Sequence, residues 1–212
     1  NKPFFEVPIM PNALELAISS NNVSEVERLF TRGEEDGASL IPESTVTMVE
    51  GMEAPASILV FCLNNNLEDI ALELLSMPVI MANVANNALI AAVRNGNLEV
   101  VKELLKNSKI KAHAADGNNS ALIFAAERGH AGVVKELLRI YTVAIDSHQA
   151  LIMAIRNNHL EVVKQLLRSQ EVKAKAADNN NEVLITAVEY SRIEIALELL
   201  SMPVIMANVA NN

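Results

Sequence analysis

The stretch NALIAAVRNGNLEVVKELL, Asn87–Leu105, decides how this chain is read. Its first half carries Leu89, Ala92 and Val93 at helical spacing. Its second half carries Leu98, Val101, Leu104 and Leu105, an i, i+3, i+6, i+7 stripe that predicts a second short helix. Asn95-Gly96-Asn97 between them is a tight polar turn, because Gly and Asn tolerate the left-handed backbone that closes a helix. Neither helix can bury its apolar stripe alone, so a neighbouring pair of the same kind has to cover it.

Such neighbours exist in both directions. The first half recurs as NALELAISSN from Asn12, SILVFCLNNN from Ser57, SALIFAAERG from Ser120, QALIMAIRNN from Gln149 and EVLITAVEYS from Glu182. The second half recurs as VSEVERLF, EDIALELL, AGVVKELL, LEVVKQLL and IEIALELL. Six units result, with starts 45, 30, 33, 29 and 33 residues apart. The last four spacings total 125, which is the offset between two identical copies of IALELLSMPVIMANVANN at Ile70–Asn87 and Ile195–Asn212. A block of four units has been duplicated. One position on the first helix is always small: Ala17, Cys62, Ala92, Ala125, Ala154 and Ala187. A small residue there lets helices approach closely. The residue opening each first helix is Asn, Ser, Asn, Ser, Gln or Glu, and the Asn and Ser residues predict N-caps.

Composition agrees with many small aliphatic contacts. Half of the 212 residues are apolar, yet aromatics are only 3% and Trp is absent. The single cysteine excludes an internal disulfide framework and fits a reducing, cytoplasmic compartment. The longest apolar runs fall far short of a membrane span, and NKPFFEVPIM shows no signal peptide. A start at Asn rather than Met is that expected of a fragment of a longer protein.

GHAGVVKELL from Gly129 and GNLEVVKELL from Gly96 resemble the second-helix consensus of the ankyrin-repeat family, over almost the whole chain. The resemblance implies an all-α ankyrin solenoid of six helix-turn-helix units, at about 12–45, 57–86, 87–119, 120–148, 149–181 and 182–212, forming one domain. The family's Thr-Pro-Leu-His opening is replaced by Ser120-Ala121-Leu122-Ile123 and its relatives, so the histidine that bridges repeats is lost there and aliphatic packing has to compensate. The family's connectors are β-hairpin fingers. Leu105–Ala121 and Leu167–Val183 have full length at 16 residues, whereas Leu75–Ala88 and Leu138–Ala150 span 13 and 12 and predict a turn or short helix. Connectors are therefore expected to be short or irregular.

Candidate chemistry is sparse. Cys62 sits at the small packing slot, where burial as a weak hydrophobe is expected rather than catalysis. His130 and His159 occupy the turn and are expected to cap helix ends, while His113 and His148 fall in connectors. No CxxC, HExxH or phosphate loop occurs, so no cofactor or metal is expected. Met77, Met81, Met153 and Met202 fall at or near apolar slots and read as core filling rather than a recognition groove.

Function then rests on surfaces. By resemblance, the two residues before each turn are the family's variable contact pair on the concave face: Ser19 and Ser20, Asn64 and Asn65, Arg94 and Asn95, Glu127 and Arg128, Arg156 and Asn157, Glu189 and Tyr190. The arginines and Tyr190 are the residue types most often found as hot spots. They imply binding to another protein. Charge is uneven, at −7 over residues 1–60 and +5 over residues 94–175, which reads as solvated helix faces or as a bipolar surface that steers a partner. The total of −9 and the lack of aromatic platforms disfavour nucleic acid. Residues 31–56 break the period and read as an elongated finger with some β character, whose acids Glu34, Glu35, Asp36, Glu43, Glu50 and Glu53 form either a candidate interaction element or a tolerated decoration. The style of these repeats resembles ankyrin proteins that intracellular bacteria secrete into host cells, which implies a host protein as partner. The alternative is a targeting arm for an enzyme or toxin whose catalytic domain lies elsewhere. A terminal repeat with an uncovered apolar face also allows self-association.

Overall fold

Helix pairs meeting at polar turns are what the backbone adopts. A computed structural model describes residues 13–30, 48–50, 55–84, 86–116, 120–140, 147–178 and 181–210, and among these no strand occurs. The chain divides at Val84 into two units.

Unit 1 holds α1 (Ala13–Ser19), α2 (Val23–Phe30), α3 (Ala56–Asn64), α4 (Glu68–Ser76) and α5 (Pro78–Asn83). α1 packs on α2, α3 on α4, and α5 against both α3 and α4. Leu14, Val26, Phe30, Ile58, Leu59 and Leu74 are fully buried. Most of the 31–56 insertion lies outside the described residues, including Ser39–Ile41. One described part bears on its expected β character: residues 48–50, which overlap the end of TVTMV, are helical, and Val49 is buried.

Unit 2 holds α6 (Asn86–Asn95), α7 (Leu98–Leu104), α8 (Ser108–Asp116), α9 (Ser120–Glu127), α10 (Ala131–Ile140), α11 (Ser147–Arg156), α12 (Leu160–Leu166), α13 (Gln170–Asp178), α14 (Glu182–Glu189), α15 (Ile193–Leu200) and α16 (Pro203–Ala210). The first helices α6, α9, α11 and α14 contact one another in that order, and the second helices α7, α10, α12 and α15 form a parallel row behind them. The stripes read from the sequence face inward: Leu89, Leu122, Leu151, Val101, Val134 and Val163 are buried. So are all six residues of the small slot, from Ala17 to Ala187.

The connectors correct the expectation of fingers. Both full-length connectors are helices, α8 and α13; the short connector Leu75–Ala88 holds the short helix Pro78–Asn83 that its length allowed, and Pro203–Ala210 is helical too. The cause is local. Ile110 with Ala114, and Val172 with Ala176, are i, i+4 pairs that bury against the first helices. Asn107 Oδ1 accepts the Lys109 and Ile110 N–H groups at 3.0 and 3.4 Å and starts α8. Pro78 and Pro203 open their helices, where a missing N–H costs nothing. Among the described residues, repeats 2, 3, 5 and 6 are thus triplets of helices. His113 lies within α8 and His148 in the first turn of α11, so neither is in a loop.

The expected N-caps are displaced. Asn87 and Ser57 lie inside the first turn, because the helices begin one residue earlier, at Asn86 and Ala56, and Ser120 is itself the first residue of α9. Asn181 precedes α14 in left-handed conformation at φ 60° and forms no side-chain cap.

The duplicated eighteen-mer folds differently in its two copies. Val84 is extended after α5 ends at Asn83, whereas its twin Val209 continues helical within α16. The residues are identical, so surroundings decide the helix end.

Candidate protein-interaction face

Each turn between first and second helix closes in the same way. The third residue from the helix end leaves its carbonyl open, and the chain has to satisfy it. Asn21, Asn66, Gly96, Gly129, Asn158 and Ser191 all take positive φ, from 52° to 79°. The following residue then donates its N–H to the carbonyl of the small-slot residue, at 2.7–3.0 Å: Asn22 to Ala17, Leu67 to Cys62, Asn97 to Ala92, His130 to Ala125, His159 to Ala154 and Arg192 to Ala187. The left-handed residue itself donates one position later in the helix, as Gly129 does to Ala126. Together these bonds form the Schellman closure, repeated six times.

In unit 2 the turns are also tied to one another. His130 Nε2 lies 3.0 Å from the Arg94 carbonyl of the preceding repeat, and His159 Nε2 lies 3.0 Å from the Glu127 carbonyl. A carbonyl only accepts, so both Nε2 atoms carry the proton. Arg192 takes over in the last repeat, donating Nη2 at 2.6 Å and Nε at 3.2 Å to the Arg156 carbonyl. These histidines cap helix ends, as expected, and the ends their rings cap belong to the preceding repeat: Arg94 lies in the last turn of α6 and Glu127 ends α9. Their backbone N–H groups close the turn while their rings bridge repeats. The inter-repeat bond missing from the helix opening is supplied at the turn instead.

This bridge explains the glycines. A Cβ at Gly96 would stand 2.5 Å from His130 Nδ1, and one at Gly129 would stand 2.6 Å from His159 Nδ1. Where the following repeat offers Arg192 instead of a histidine, the turn carries Asn158.

The candidate contact pairs sit on this edge. In unit 2, Arg94, Asn95, Arg128, Arg156, Asn157, Glu189 and Tyr190 are exposed and Glu127 is half-buried. The Arg94 guanidinium stacks over the Phe124 ring at 4.0 Å, and that of Arg156 over Tyr190 at 5.6 Å, so each arginine leans toward the next repeat. Asn157 Nδ2 donates to the Met153 carbonyl at 2.9 Å. In unit 1, Asn64, Ser19 and Ser20 are exposed, and Asn65 donates Nδ2 to the Phe61 carbonyl at 2.9 Å.

A family model described as ankyrin repeats (3 copies) matches residues 58–146 and again 140–210. The chain belongs to the ankyrin-repeat family. No curated protein matches it. This ankyrin array departs from the hairpin-connected form in its helical connectors and in the bridging role of its turn histidines. Sequence reading missed that role, although the pairing of Gly96 with His130 and Gly129 with His159 one repeat apart was visible.

Other candidate groups of this ankyrin chain are now placed. Cys62 is fully buried on α3, and burial pushes its thiol up to about 12, which suppresses the thiolate. Met77 is buried, and Met81, Met153 and Met202 are half-buried. Among the described residues no cluster of His, Cys, Asp and Glu is placed to hold a metal ion, and no helix is long and apolar enough to cross a membrane. The ion pairs Arg28–Glu25, Lys102–Glu99, Lys106–Glu103 and Arg139–Glu136 are i, i+3 neighbours on single helices, as the solvated-face reading of the charge requires.

Proposed function

We propose that this ankyrin array binds a partner protein through the row of contact pairs at the ends of its first helices, with Asn64, Asn65, Arg94, Asn95, Glu127, Arg128, Arg156, Asn157, Glu189 and Tyr190 as contact residues. One observation carries the proposal. The backbone of the first residue in three of these five pairs, at Arg94, Glu127 and Arg156, is held by a side chain from the following repeat. A row of polar side chains on a backbone fixed in this way loses little freedom on binding, which favours affinity. Tyr190, 44% exposed, and the stacked Arg94 and Arg156 are the proposed anchors. The six repeats are proposed to act as one array in a reducing cytoplasm. The stylistic likeness to secreted bacterial ankyrin proteins supports a host protein as the partner.

The test is affinity capture with the immobilised chain, followed by titration of a purified partner. Arg94→Ala, Arg128→Ala, Arg156→Ala and Tyr190→Ala combined should weaken binding by about a hundredfold or more, since truncated hot spots cost about 2 kcal/mol each and are not additive. Unchanged affinity in a folded quadruple variant would refute the assignment.

A further inference from the structure

The helical connectors build a feature at the far end of the second helices from the turns. In unit 2, α13 and α16 pack side by side, and α12 and α15 end next to them. A groove opens among these four helices in two lobes of about 340 and 380 Å³ that share Lys173 and Met202. Its apolar lining includes Leu167, Met202 and Val204, and its cations are Lys164, Arg168 and Lys173.

The cations are not all explained by the fold. Lys164 pairs with Glu198 across the groove at 3.8 Å. Arg168 follows the C-terminal end of α12, where a cation complements the helix dipole, and it donates to Gln165 Oε1 at 2.9 Å. Lys173 differs. It lies in the first turn of α13, where the dipole disfavours a cation, and it has no ion pair among the described residues. In a chain of net charge −9, three cations and one acid, Glu198, border the lobe that Leu167 and Met202 line, and Lys173 also borders the more apolar lobe beside Ala174 and Val204. Apolar contact with a basic rim is what an amphipathic acidic helix requires.

We propose that this groove docks an acidic helical segment of a partner protein, its aliphatic side chains entering the lobes and its carboxylates meeting Lys173, Arg168 and Lys164. The site is separate from the turn edge and does not depend on it.

The probe is a fluorescein-labelled peptide of roughly fifteen residues with Glu and Leu at amphipathic helical spacing, titrated against the full chain by anisotropy. Saturable binding is expected, weakened about tenfold or more by Arg168→Glu with Lys173→Glu, and weakened again as salt rises from about 50 to about 200 mM. Met202→Asp should weaken it through the apolar lining. Arg94→Ala should leave it unchanged, which separates this groove from the turn edge. Lys173→Gln, a milder change on a half-buried side chain, should weaken binding with the circular dichroism spectrum retained. Equal binding of a peptide carrying Lys in place of Glu, or full binding by folded Lys173→Gln and charge-reversal variants, would overturn the proposal. So would self-association of the wild-type chain that the charge reversal abolishes, because the occupant would then be a second copy.

Discussion

Gly129→Ala tests the account of the turns most directly. The residue sits at φ +79°, and a new Cβ would lie 2.6 Å from His159 Nδ1 and 2.7 Å from Cε1. Two costs arise. Holding an L-residue in left-handed conformation costs about 1 kcal/mol. The ring of His159 must also swing away and give up its bond to the Glu127 carbonyl, at about 1 kcal/mol more. The sum, about 2 kcal/mol, is about a thirtyfold increase in local opening. Global melting is a poor readout in a repeat array whose cooperativity can break down. Amide hydrogen exchange at His130 and His159, whose N–H groups close the turns of repeats 4 and 5, reads the opening locally. In a His159→Ala background the steric conflict is gone, so Gly129→Ala should then cost only about 1 kcal/mol, the conformational part. A cost below about 0.5 kcal/mol in the wild-type background, or an equal cost in both backgrounds, would refute the reasoning.

Three further outcomes follow from burial and charge. Ile155 and Val188 hold the same place in successive first helices, yet Ile155 is 0% and Val188 65% exposed; Ile155→Ala should cost about 2–5 kcal/mol and Val188→Ala less than about 0.5, read by amide hydrogen exchange within each repeat. Cys62, with its thiol pushed up to about 12, should resist a thiol-specific disulfide reagent at pH 8 until the chain unfolds, and fast labelling of the native protein would contradict its burial. The Arg28 hydrogen bond holds the Glu25 carboxyl below its ordinary value. A lowered folded value means the pair's contribution is present above the ordinary glutamate range and is lost as pH falls through the folded value. Carbon-detected NMR titration should show Glu25 moving upward in Arg28→Ala, and no movement would deny the pairing.

The repeats, their order and both helices of each pair were legible, because Leu89, Leu122 and Leu151 keep one register and the burial follows it. The third helices were legible only in the short connector Leu75–Ala88, whose length predicted a turn or short helix and which holds α5; in the full-length connectors they were not. The family's hairpin set the expectation for residues 106–120, although Ile110 and Ala114 among alanines already carried an i, i+4 signal for a helix. The contact pairs could be numbered from the sequence, but their fixation could not, since it depends on a ring reaching a carbonyl thirty-two or thirty-six residues earlier. The groove beside Lys173 was equally hidden, because it exists only where two connector helices lie together.

The glycine-to-histidine fit gives the array a grammar of adjacency. A turn with Gly can precede a repeat bearing either His or Arg, whereas the turn with Asn158 can precede only the latter. Excising repeat 4 would join Gly96 to His159 and leave a legal sentence. Exchanging repeats 4 and 5 would set Asn158 against His130 and break it. Gain, loss and shuffling of units in such a gene are therefore constrained at each junction by one backbone atom's worth of room.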